Sequence, residues 1–243
     1  LFYVSMTEKC AIINYIHLKK LHNFPSTSTS DDVVAYVRSS MAAASVASRL
    51  GRVDPTRAVF FLCDVQERFR DVILEMPSLI ESSKLLLGAA NVLSIPIVVT
   101  EQYPKAMKHT CAELLPAIDG TDGTAACVVE KTAFSMLVPG VDAVLAETCR
   151  TGSAVLFGIE AHICVQQTCL DLLARGTFES VTIVEDATSS QRATDRTIAL
   201  ERMRRAGATI TSTESLIFEM VGGAKHPHFK AVSALVKARQ FPE

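Results

Sequence analysis

The chain has 243 residues, of which 49% are apolar and 21% charged, with a formal net charge of −2. That length suits one large α/β domain, or two small ones, and the apolar share supplies a full core and argues against global disorder. The absence of a basic block argues against a broad nucleic-acid-binding face, and no apolar run approaches the roughly 20 residues that span a bilayer. Trp is absent and aromatics are only 6%, so the core must be aliphatic.

In chain order, residues 1–53 read as a flexible N-terminal extension. Phe24–Asp32 (FPSTSTSDD) is Ser/Thr-rich linker material, and Met41–Arg52 (MAAASVASRLGR) is rich in Ala and Ser with Arg and no acid. The second stretch reads as an ordinary lead-in, with a weak mitochondrial targeting sequence as the alternative. Residues 1–40 are expected to be dispensable for folding.

Residues 54–243 alternate strand-like and helical patterns. Ala58–Cys63 (AVFFLC) is a continuous apolar run, as expected for a strand buried on both faces. A helix follows over Pro77–Ser94, with Leu79, Leu86, Ala90 and Leu93 at helical spacing. Strands are expected at Ile95–Thr100, Ala126–Glu130 and Ala154–Gly158. The last leads into a helix from about His162 to Arg175, stopped by Gly176. A fifth strand at Val181–Glu185, a helix over Arg192–Ala206, a sixth strand at Ala208–Thr211 and helices at Glu214–Val221 and Phe229–Lys237 complete the pattern. Such alternation specifies right-handed βαβ crossovers and a parallel sheet with helices on both faces, whose ligand crevice lies at the carboxyl ends of the strands.

Three reactive groups stand at those ends: Asp64 after the first strand, Lys131 after the third, and Cys164 after the fourth. Singly, each has a plain structural role: a turn aspartate, a solvated lysine, a small core thiol. Together on one rim they suggest chemistry. The seven cysteines are an odd number without a C-x-x-C pair, which suits reduced thiols in a cytoplasmic compartment.

The segments around these residues resemble the isochorismatase-like cysteine hydrolases, and within them most resemble the isochorismatase domain-containing proteins. The resemblance rests on FLCDVQERF (Phe61–Phe69), VVTEQYPK (Val98–Lys105), EKTAFSM (Glu130–Met136), LFGIEAHICVQQT (Leu156–Thr168), DATSS (Asp186–Ser190), STES (Ser212–Ser215) and HPHFK (His226–Lys230). It covers roughly Ala58 to Lys237. It implies a Rossmann-like six-stranded parallel sheet of order 3-2-1-4-5-6, a non-proline cis peptide at Ile159–Glu160, and a homo-oligomer acting on a small molecule without a cofactor.

The resemblance also implies a catalytic triad of Asp64, Lys131 and Cys164. The thiolate is the reactive form of cysteine, and a helix start beside the Lys131 ammonium would favour it. Asp64 would take the thiol proton and later deliver it to a leaving amine. The backbone N–H groups of Glu160 and Cys164 would form the oxyanion hole. Gln66, Phe69, Tyr103 and Phe134 are candidate substrate contacts. The implied activity is hydrolysis of a small amide or related C–N bond through a Cys164 thioester. A non-catalytic binding or scaffold protein that keeps the fold is one alternative. An isochorismate-type vinyl-ether hydrolase, which does not depend on a Cys nucleophile, is another. No metal site is expected: nicotinamidases of this family carry Asp-x-His and a further His after the second strand, whereas Thr100–Thr110 (TEQYPKAMKHT) offers only Glu101 and His109. The His226-Pro227-His228 cluster reads as a helix-start turn.

Overall fold

The computed structural model describes residues 50–119 and 126–240. Cys10, the Phe24–Asp32 linker and nearly all of the expected 1–53 extension lie outside the described residues. Near its end, Val53 is 4% exposed in the core and donates its N–H to Glu219 Oε1 at 3.1 Å. The packed part therefore begins at or before Val53, ahead of the boundary expected at residue 54.

The strands are β1 (Val59–Cys63), β2 (Ile97–Gln102), β3 (Cys127–Lys131), β4 (Ser153–Gly158), β5 (Ser180–Thr188) and β6 (Thr209–Thr211). They form one six-stranded sheet of order β3-β2-β1-β4-β5-β6. Every neighbouring pair is parallel. The helices are α1 (Met76–Val92), α2 (Pro139–Thr148), α3 (Gln166–Arg175), α4 (Ala193–Ala206), α5 (Thr213–Val221) and α6 (Phe229–Ala238), with short helical turns at Pro104–Met107 and Leu115–Ile118.

The uninterrupted apolar run of β1 is explained by two cores, one on each face of the sheet. Phe60 and Leu62 join the cluster built with Leu79 and Leu86 of α1, Ile217 of α5 and Val232 of α6. Val59, Phe61 and Cys63 join the opposite cluster with Val141 of α2, Leu172 of α3 and Met203 of α4. An edge-on aromatic pair lies in each core: Phe60 with Phe157 of β4 at 6.1 Å on one face, and Phe61 with Phe178, just before β5, at 5.8 Å between ring centroids on the other.

Two helical expectations need correction. Helix α2 was not anticipated, although Pro139 stands at its start. Proline is in fact well placed in a first turn, where its missing N–H is no loss, and α2 buries only Val141, too little for a visible apolar stripe. The helix expected from His162 begins instead as a π-helical turn, Ala161–Val165, with regular α-helix only from Gln166. It ends, as expected, at Gly176, whose φ of +61° is the left-handed cap.

Candidate active site

The order of the sheet reverses between β1 and β4, and the crevice opens there. Asp64 takes the first position beyond β1, with a φ of +52° that aspartate tolerates better than most residues. Its side chain is almost fully enclosed. Oδ1 accepts the Thr100 hydroxyl at 2.7 Å, and Oδ2 accepts Lys131 Nζ at 2.6 Å. Burial raises the Asp64 pKa, and the opposing pull of Lys131 and Thr100 does not fully offset it.

Lys131 ends β3, two strands from β1, and reaches across β2. Its ammonium donates to Asp64, to Gln102 Oε1 at 2.7 Å, and to the carbonyls of Ala133 and Phe134 at 3.1 and 3.0 Å. Burial works against the charged form, but the surrounding acidic groups, Cys63 and Asp64 foremost, prevail and raise its pKa. A buried ammonium with this many acceptors is a held charge, not a solvated one.

Cys164 arrives from β4. Gly158 faces Cys63 across the β1–β4 pairing, and a Cβ on it would lie 2.2 Å from the Cys63 carbonyl oxygen. Its φ of +121° is likewise open only to glycine, so the close approach of the two strands depends on this residue. The Ile159–Glu160 peptide is cis, and the π-helical turn follows. Cys164 sits in that turn, 7% exposed, with its thiol beside the Asp64 carboxyl and the Cys63 thiol. Cys63 is sealed beneath: burial, the contact with Cys164 and the charge of Asp64 all push its pKa well up. Thr168 locks the turn, donating its hydroxyl to the Cys164 carbonyl at 2.6 Å and accepting the Met136 N–H at 2.9 Å. A further tie runs from the Ala161 N–H to the Ser189 carbonyl at 2.8 Å.

A cavity of about 340 Å³ opens over these groups, lined by Asp64, Cys164 and Glu160 together with a largely apolar wall. Of the expected substrate contacts, Phe69, Tyr103 and Phe134 line it. Gln66 does not. Its side chain is fully buried, donating to the Gln102 and Lys108 carbonyls at 3.0 and 2.6 Å and accepting the Gln102 N–H at 2.7 Å. It staples the end of β2 to the loop after it, so its place in the motif is architectural.

Sequence reasoning missed Gln102, Met107, Thr132, Ile159 and Ile163, which also line the cavity. Gln102 carried a signal, since it lies within the VVTEQYPK block beside Tyr103. Thr132, Ile159 and Ile163 lie in quoted blocks too, but cavity wall and core look alike in a sequence, and Met107 lies outside every block.

Glu101 and His109 are joined at 2.8 Å, and Glu101 also accepts the Thr110 N–H and hydroxyl at 2.7 and 2.8 Å. His226 Nδ1 accepts the His228 N–H at 3.2 Å just ahead of α6, a helix-start turn. Among the described residues, no three His, Cys, Asp or Glu side chains form a metal-binding group.

Comparison with known proteins agrees with this architecture. The isochorismatase domain matches residues 58–215. Isochorismatase domain-containing protein 1 of Salmo salar is 46% identical over 190 residues, covering 78% of this chain and 64% of that protein. The chain thus spans less than two thirds of that relative's length, and the same holds for the Danio rerio protein of that name, at 64%. Isochorismatase domain-containing protein 2 of Homo sapiens is 43% identical, covering 77% of this chain and 87% of that one. A solved structure, MAR1 ribonuclease from Caenorhabditis elegans, superposes with a TM-score of 0.71 at 41% identity over 78% of this chain and 95% of that one. Sheet order, matched domain and identity together place this chain in the isochorismatase family.

Proposed function

We propose that the chain is a cysteine hydrolase that cleaves a small amide or related C–N bond through a thioester on Cys164. The observation that carries the reading is the buried Lys131–Asp64 pair beside the Cys164 thiol, at the wall of a cavity of small-molecule size. The isochorismatase-family hydrolase fold supports the class of reaction.

In this reading the sulfur attacks the carbonyl carbon as its proton passes to Asp64. The oxyanion is met by the N–H groups of Glu160 and Cys164. The intermediate collapses with cleavage of the C–N bond, and Asp64 returns the proton to the departing nitrogen. Water then attacks the thioester, giving a proton to Asp64, which passes it to the leaving sulfur. The raised pKa of Asp64 suits this work, because a carboxyl shifted toward neutrality both takes and gives protons more readily. Lys131 holds Asp64 in place and supplies the positive charge beside both acids.

The homo-oligomer implied by the resemblance is part of the same proposal, and light scattering would test it.

The deciding experiment screens a panel of small amides with the wild-type protein and Cys164→Ala in parallel, with intact-mass detection of an acyl adduct. Turnover and adduct should both vanish in the variant. Turnover that persists in Cys164→Ala would refute the thioester and turn attention to proton transfer by Asp64 alone.

A further inference from the structure

The cavity's electrostatics narrow the substrate class, on the reading that Cys164 is the nucleophile. A carboxylate-bearing substrate must be desolvated on entry and needs a cation to receive it. Among the described residues the lining supplies none: Phe69, Tyr103, Met107, Phe134, Ile159 and Ile163 make an apolar wall, and the remaining lining residues are Asp64, Gln102, Thr132, Glu160 and Cys164. The Lys131 ammonium beside Asp64 already has four acceptors. Glu160 brings a carboxyl group, not a cation. It is fixed by the Gln191 N–H and side-chain amide at 3.1 and 3.2 Å, with His162 Nδ1 4.0 Å away. Lys105 and Lys108, near Tyr103 and Met107 in the chain, are exposed and outside the lining.

We infer that the cavity takes an uncharged carbonyl compound with a small apolar body and discriminates against carboxylates. A dicarboxylate such as isochorismate would place its charges against apolar carbons and fixed acids, so the vinyl-ether alternative loses ground on this observation.

The test uses two alkylating agents of matched size that differ in charge, iodoacetamide and iodoacetate. Their rates at Cys164 are read by peptide mass spectrometry on the full-length protein, each divided by its rate with glutathione. The normalised preference for the neutral reagent should be about tenfold or more, since a single uncompensated charge at short range in a poorly solvated site is worth at least that. Thr132→Lys, which brings a cation to the lining, should cut the preference about threefold or more. A normalised ratio near one, or no reaction of Cys164 with either reagent, overturns the inference.

A second measurement does not depend on thiol reactivity. Pentanamide should raise the melting temperature of Cys164→Ala, and pentanoate should not. Equal stabilisation by both, or by neither, also overturns the inference. A protein that discriminates as expected yet hydrolyses no amide keeps this inference and loses the thioester mechanism. One that hydrolyses amides with a glutathione-like labelling ratio loses only the inference.

Discussion

Lys131 and Asp64 are each buried to a degree that would be prohibitive alone. Removing one partner of such a pair typically costs about 3–5 kcal/mol, because the other is left as an uncompensated charge. In Lys131→Met that charge is the Asp64 carboxylate, and its folded pKa, already raised by burial, should rise further. The native state then holds the proton more tightly than the unfolded chain. Stability is therefore fully present below the unfolded carboxyl pKa and is lost as pH rises through the folded one. The deficit of Lys131→Met against wild type should be small near pH ~4 and reach about 3–5 kcal/mol at neutral pH, measured by urea unfolding. Adding Asp64→Asn should recover most of it. A deficit of the same size at every pH would show that lost packing, not the orphaned carboxylate, is responsible.

The thiols divide on the same physical grounds. Burial pushes Cys169 up to about 12 and Cys111 up to about 11, and Cys63 lies sealed under the site, whereas Cys164 stands in the cavity wall. Brief, limiting iodoacetamide should label Cys164 well ahead of Cys63, Cys111 and Cys169. If Cys164 labels no faster than Cys169, it is a packing residue and the scaffold reading becomes the better one.

Among the elements, the π-helical turn does the positioning, and Thr168 is its fastening to the loop after β3. Thr168→Val removes the hydroxyl while keeping the shape, leaving the buried Met136 N–H without its partner. The expected loss is about 1–3 kcal/mol with slower labelling of Cys164, and Thr168→Ser should restore both. A Thr168→Val protein as stable and as reactive as wild type would mean that the turn is held by the tie to Ser189 instead.

The turn also marks the limit of what could be read from the residues. Its sequence, AHICV, has ordinary helical spacing, and nothing in a periodicity separates an i→i+5 turn from an α-helical one. Strand ends were legible for the opposite reason. Strand-like runs alternating with helical patterns specify a parallel sheet covered on both faces, and the carboxyl ends of its strands bring Asp64, Lys131 and Cys164 to one rim. Gln66, expected as a substrate contact, lies buried outside the cavity lining, and a motif does not separate residues that touch a ligand from those that hold the frame. Asp186 of the DATSS block makes the same point, accepting the N–H and hydroxyl of Thr213 at 2.7 and 2.8 Å outside the cavity lining.

At the scale of the whole molecule, among the described residues both cores and the cavity are built from residues between Val53 and Val236. Val53 is the earliest described residue to join them, buried against the layer that contains α1, α5 and α6. A chain starting at Leu50 keeps that contact and the bond from the Val53 N–H to Glu219. It should melt within a few degrees of the full chain, where roughly 2–4 °C corresponds to about 1 kcal/mol in a domain of this size. A chain starting at Pro55 loses both. Full burial of a valine side chain contributes about 1.5–3 kcal/mol, so this second truncation should melt several degrees lower. The pair of melts separates two ideas that one truncation would confound. If the chain from Leu50 already shows the larger drop, residues before 50 contribute to the packing and the expected extension is part of the domain. If neither truncation moves the melt, Val53 packs without contributing, and the domain begins at Ala58, where the isochorismatase match begins.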